Sequence, residues 1–142
     1  MRVTYEVRRN YPHMIGEEQE VWTRFINDNP EYFDEVEYDV RVGQGVNLPD
    51  DWNIKDQRWA QQLTQKRIDV IGYKDAEIVL VEVKLRVIIG TLGQVLGYKF
   101  LYEREQNLVN KTSQMVVAAF IGPDDYDVLE HYDVKIFSEK RF

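Results

Sequence analysis

Apolar positions along this chain recur at two periods, and the switches between them predict its elements. Val21, Trp22, Phe25 and Ile26 fall at helical spacing, which predicts a first helix over Gly16 to Asn27. Glu17, Glu18 and Glu20 occupy its first turns, where carboxylates complement the positive end of the helix dipole. Asn29-Pro30 ends it, because a residue before proline is pushed out of the helical region. From Phe33 to Val42 the period drops to that of a strand. Val36, Tyr38, Val40 and Val42 share one face, and Glu37, Asp39 and Arg41 take the other. Gly43-Gln44-Gly45 breaks this strand. Val46 to Lys66 is polar and reads as a long loop with a short helix near Gln57 to Leu63. Loops of that length in a compact domain are often functional.

The second half is more apolar. Arg67 to Tyr73 and Ala76 to Leu85 read as strands joined at Lys74-Asp75, hence a hairpin. The second of them is apolar on both faces, with Ile78 and Leu80 on one and Val79, Val81 and Val83 on the other, as expected of a central strand. Thr91 to Glu105 predicts a helix with Leu92, Val95, Leu96, Phe100 and Leu101 as its stripe. Gly93 and Gly97 lie within that helix and would admit a close backbone neighbour. Met115 to Ile121 is a buried strand ended by Gly122-Pro123. A short helix from Asp125 to His131, capped by Asp124, and a strand from Val134 to Phe137 complete the chain. The order implies an α/β fold: one domain over 1–142, a mixed central sheet flanked by helices, a core at about 16–121 and a helix and strand at 124–137.

Composition narrows the chemistry. The 142 residues suit one domain, and the apolar fraction of 44% suits a globular one. With no cysteine there is no disulfide, thiolate site or cysteine nucleophile. Two histidines are too few for a multi-histidine zinc site, and His13 and His131 read as ordinary surface or helix-end residues. Any metal would be held by carboxylates, which points to magnesium or manganese. The net charge of −7 argues against a protein that coats nucleic acid, yet suits an acidic metal site beside a local basic patch. No apolar run is long enough to span a membrane and the N-terminus lacks a signal-like apolar segment, so an intracellular, cytoplasmic protein is expected. No nucleophilic triad, phosphate loop or dinucleotide fingerprint occurs.

One conflict stands out. Glu82 and Lys84 interrupt the most apolar strand, on the same face. Buried charge without compensation is expensive, so such groups pair, shift their pKa or bind a metal. Asp69 falls opposite Leu80 to Glu82 across the hairpin, near enough for both carboxylates to reach one divalent ion. That ion would remove their mutual repulsion, and Lys84 would orient the attacking water or stabilise charge on the phosphate. The bland alternative is a structural salt-bridge cluster on a sheet face.

Asp69 in RIDVIGY, Glu82-Val83-Lys84 in VLVEVKL and the helix-strand-strand-strand-helix-strand order resemble the PD-(D/E)xK nuclease superfamily over roughly Gly16 to Ile121. Ile68 stands where the family's leading proline would be. The resemblance implies a restriction-endonuclease-like fold and hydrolysis of DNA phosphodiester bonds with Mg2+ or Mn2+. Asp69 and Glu82 would be the metal ligands and Lys84 the catalytic lysine. It also implies a catalytic acid on the first helix that helps hold the metal, for which Glu18 fits best, since it shares the face of Val21, Trp22 and Phe25. Gln94 and Tyr98, four apart on the Thr91 helix, match a Gln-then-Tyr pattern of members similar to archaeal junction resolvases and mismatch-type endonucleases. Gln94 would assist catalysis, and Tyr98 would join the DNA surface. Lys55, Arg58, Lys66 and Arg67, interleaved with Trp52 and Trp59, would touch phosphates and stack bases. The competing expectation is that the tryptophans close a small satellite core. A homodimer or protein partner is a further expectation for so small a nuclease. The rival function is a catalytically inactive nuclease-like module that binds nucleic acid or a protein, and a phage-encoded protein would suit either reading.

Overall fold

The computed structural model describes residues 1–142. Six strands form one sheet in sequential order: β1 (Val3–Thr4), β2 (Glu35–Val42), β3 (Lys66–Lys74), β4 (Glu77–Arg86), β5 (Thr112–Ile121) and β6 (Lys135–Arg141). Four helices accompany them: α1 (Glu17–Asp28), α2 (Ile54–Thr64), α3 (Gly90–Glu105) and α4 (Pro123–His131). The strands from β1 to β4 are antiparallel neighbours, whereas β4, β5 and β6 run parallel. The parallel pairs need crossovers, which α3 and α4 supply. The mixed α/β sheet read from the sequence is therefore present.

Helix α1 covers one face of the sheet. Its Val21, Trp22, Phe25 and Ile26 join a cluster of 16 buried residues that includes Val79, Val81 and Val83 of β4 and Met115 and Val117 of β5. Trp22 is fully buried, and its indole N–H donates to the Tyr38 hydroxyl at 3.0 Å. Helices α3 and α4 cover the other face, where Val95 and Leu129 pack on Val116, Ala118 and Ile121. Burying a side chain of that size is worth roughly 1.5–3 kcal/mol, so these two layers supply the main driving force. Gly72 in β3 sits directly under the Phe33 ring, where a Cβ would overlap the aromatic carbons.

Several boundaries differ from the sequence reading. Strand β1 was not expected: two residues carry too little periodicity to be seen. Helix α2 runs from Ile54, where Asn53 caps it by accepting from Asp56 N at 2.8 Å, so much of the expected loop is helical. The β3–β4 turn lies at Asp75-Ala76, one residue later than expected, with Asp75 at φ 53°. Helix α4 starts at Pro123 rather than being capped by Asp124, since proline's fixed φ suits the first helical position. Strand β6 extends to Arg141, carried past Phe137 by pairing with β5.

Two expectations about faces also fail. On α3 the buried stripe runs through Thr91, Val95 and Tyr102, so Leu96 and Phe100, which lie off it, are exposed. Gly93 and Gly97 face open space, with no backbone approaching them. On β2, Val36 and Tyr38 pack with the α1-side cluster, whereas Val40 and Val42 join a cluster on the α3 side with Ile68, Ile71, Leu80 and Tyr102. Asp39 lies at the change-over in a left-handed conformation, φ 52°, and the ladder skips it, passing from Tyr38↔Val70 to Val40↔Ile68. Strand β3 changes company at the same level, between Val70 and Ile68. No helix of the chain is long and apolar enough to cross a membrane.

Candidate active site

The change-over creates the site. Pairing between β3 and β4 stops at Val70↔Val81, so the strands part just where Asp69 would face Glu82. The Val83 N–H, left without a β3 carbonyl, donates instead to Asp69 Oδ2 at 2.9 Å. Glu82 is only 4% exposed, although it carries a carboxylate. Its Oε2 lies 3.8 Å from Lys84 Nζ, and its Oε1 is buried with no hydrogen-bond partner. An orphaned oxygen of this kind requires an explanation, because an unsatisfied buried acceptor costs about 1–3 kcal/mol, and more when charged.

The titration of these groups reflects their confinement. Burial pushes the Glu82 carboxyl well above the usual carboxylate range, and the negative charge of Asp69 pushes the same way. Lys84 opposes both without cancelling them. Burial also raises Asp69, against the hydrogen bond from Val83 and the charge of Lys84. Two neighbouring carboxyls that resist ionisation would hold a proton between them until a cation replaces it. Glu18 on α1 is raised by burial and then by the charge of Asp69, which places it within the field of the pair. No group of three or more His, Asp or Glu side chains gathers as a ready ligand cluster. Asp69 and Glu82 would hold such a cation, with Glu18 nearby to help, and solvent and substrate oxygens would complete an octahedral shell of the magnesium kind. The oxygen-only donors and the orphaned Glu82 Oε1 fit such a cation.

A cleft of about 720 Å³ opens over the pair. Gln94 and Tyr98 of α3 form one wall, and Lys66, Arg67 and Leu63 form another. Burial raises the Tyr98 hydroxyl pKa, with the charges of Glu82 and Asp69 adding to it. Of the residues expected to meet nucleic acid, Lys66, Arg67 and Tyr98 line this cleft. Arg58 lies in an adjoining recess with Gly43, Gln44 and Gln62. Lys55 and Trp59 are on the exposed side of α2, outside the cleft lining. Trp52 and Trp59 do not close a satellite core, since they are 51% and 62% exposed.

The sequence reading missed two residues. His13 is exposed as expected, but it also lines the cleft, and its Nδ1 lies 2.7 Å from Arg67 Nη1. Asp39 lies 3.6 Å from the same Nη1, and its Oδ1 is otherwise unpartnered. His13 and Asp39 both hold left-handed backbone, φ 64° and 52°. Arg67 is thus steadied by two residues in conformations that cost energy for a side chain with a Cβ. A polar residue alternating normally with Tyr38 and Val40 gave no sign of this. His131, by contrast, is a helix-end residue as expected.

No protein-family model, no curated protein and no solved structure matches this chain.

Proposed function

We propose that this chain is a magnesium- or manganese-dependent nuclease with a restriction-endonuclease-like core of the PD-(D/E)xK type, hydrolysing phosphodiester bonds in DNA. The observation that carries the reading is the buried pair of Asp69 and Glu82, with an orphaned Glu82 oxygen and Lys84 beside it at the floor of an open cleft. The ion pair with Lys84 leaves Glu82 Oε1 without a partner, and a cation in the cleft would engage it. A divalent cation bound here would neutralise the pair and polarise a phosphate oxygen. Asp69 is aimed by the Val83 N–H, which fixes one ligand direction. Lys84 supplies positive charge where negative charge builds on the phosphate, or orients the attacking water. Gln94 stands on the facing wall, within the same cleft, to steady the reacting group. Lys66 and Arg67 offer charge to neighbouring phosphates.

The experiment is manganese calorimetry on the wild type and Asp69→Ala, with nicking of supercoiled DNA followed on the same samples. Metal binding and nicking in the wild type, both lost in the variant, are expected. A folded wild type that neither binds metal nor nicks would end the catalytic reading. The second reading, an inactive nuclease-like module that binds nucleic acid or a protein partner, draws on the open cleft and the exposed Trp59 and Leu63 beside it. It expects DNA retention without metal uptake.

A further inference from the structure

Helix α2 is an unusual surface. Of its eleven residues only Ala60 is buried, yet it carries Trp59 and Leu63, 62% and 60% exposed. Lys55, Trp59 and Leu63 stand at successive four-residue steps, which places them in one stripe roughly 12 Å long. The stripe does not lead away from the chemistry: Leu63 and the exposed Val46 are themselves walls of the cleft that holds Asp69, Glu82 and Lys84. The segment is anchored rather than adrift. Val46 N donates to Thr64 Oγ1 at 2.6 Å, Gln65 Nε2 donates to the Gly43 carbonyl at 2.8 Å, and Gln61 Nε2 donates to Asn47 Oδ1 at 2.7 Å.

We infer that the Lys55–Trp59–Leu63 stripe is a stacking platform for unpaired bases, so that the substrate of the cleft is DNA with a single-stranded segment rather than uniform duplex. This deepens the nuclease reading and rests on its claim that the cleft takes a DNA backbone. Duplex DNA presents charged phosphates and sugars along its outside and keeps its base faces stacked. An indole and a leucine left in solvent beside a phosphate cleft gain nothing from that exterior. A single strand offers both parts together, a backbone for cations and flat apolar faces for aromatic rings. Lys66 and Arg67 line the cleft on the backbone side, while Lys55 and Arg58 flank Trp59 on α2. The only acid on the helix, Asp56, is engaged by the Asn53 side-chain amide at 2.8 Å. A protein partner would also cover apolar side chains, but Lys55, Arg58, Lys66 and Arg67 outnumber Asp50, Asp51 and Asp56 along this segment, which favours a polyanion.

Intrinsic fluorescence tests the inference directly. Trp22 is fully buried, so quenching by a ligand reports Trp52 and Trp59. The titrants are a dT oligomer of about 12 nucleotides and a blunt duplex of the same length, at low salt with EDTA to prevent cutting. The expected result is quenching by the single strand and affinity at least about tenfold above the duplex. Trp59→Leu should lose about five- to 150-fold in single-strand affinity, since one base–aromatic stack is worth roughly 1–3 kcal/mol. Trp59→Phe should keep most of it, and duplex affinity should be unchanged in both. Equal affinity for the two ligands, or an unaffected Trp59→Leu, overturns the inference. Manganese calorimetry on Trp59→Leu separates the two failures. Normal metal uptake without strand preference sinks the platform alone. Strand preference without metal uptake in any form sinks catalysis and leaves the platform standing.

Discussion

Glu82→Gln should make the metal-free protein more stable at neutral pH, although it alters the centre of the proposed site. The carboxyl is 4% exposed, with Asp69 beside it and only Lys84, at 3.8 Å, to offset the charge. Its pKa in the folded chain is raised well above the ordinary value by burial first and Asp69 second. Between the unfolded and folded values the native state holds a proton that the unfolded chain has lost. Stability therefore falls as pH rises through that window and levels off above it. The slope is at most about 1.4 kcal/mol per pH unit for each proton involved. For a domain of this size that corresponds to roughly 4 °C in melting temperature per pH unit. Glutamine keeps the shape and removes the ionisation, so the variant's slope should be markedly shallower. Asp69 retains its own burial-driven rise, which leaves a residual slope. Manganese should stabilise one protein and not the other. At about 100 times its dissociation constant, a ligand that binds only the folded state adds about 2.7 kcal/mol, and only the wild type should gain it. Thermal melts by circular dichroism from pH 5 to 9, with and without manganese, read all of this. Parallel pH slopes and equal manganese shifts in the two proteins would refute the reasoning, because the buried carboxyl would then be neither strained nor a ligand.

Lys84→Met should lower DNA cleavage by about a hundredfold or more while leaving manganese uptake intact, as expected for a group that acts on developing charge rather than on the cation. Cleavage within about threefold of wild type would remove Lys84 from the mechanism. Gly72→Ala should cost about 1–3 kcal/mol in urea denaturation, because the added methyl meets the Phe33 ring and the ring must move. Unchanged stability would show that the ring shifts freely. Glu103 accepts from Lys111 N and Thr112 N at 2.9 Å each and from Thr112 Oγ1 at 2.8 Å. Burial alone would raise its pKa, but the bonds from Thr112, the charge of Lys99 and the bond from Lys111 together outweigh it and hold the carboxyl below the usual range. Its stabilisation is thus present above the ordinary carboxylate pKa and is lost as pH falls through the lowered value. Glu103→Gln should cost about 1–3 kcal/mol at neutral pH with metal uptake unaltered. A wild-type melting temperature from the variant at pH 7 would contradict this.

The sequence carried the sheet because its strands had unambiguous periods. β4 and β5 are apolar on both faces, and only a central strand tolerates that. The carboxylate pair was legible for the opposite reason: Glu82 breaks a run in which every neighbour is apolar, and hairpin register then places Asp69 opposite it. The residues that steady Arg67 were not legible, because their role comes from backbone conformation rather than residue type. Asp39 sits in a regular alternation of apolar and polar positions, and nothing in that pattern announces a φ of 52°. Its effect is nonetheless central. Where Asp39 turns the chain over, β2 and β3 pass from the α1 side to the α3 side, and β3 leaves β4 one residue beyond Val70. Had the ladder run on, the Val83 N–H would have met a backbone carbonyl and the interval between Asp69 and Glu82 would have been sealed within the sheet. The parting of the strands leaves that N–H to Asp69, leaves Glu82 Oε1 without a partner and opens the cleft above both. The irregularity that departs most from the expected alternation thus lies beside the opening above Asp69 and Glu82.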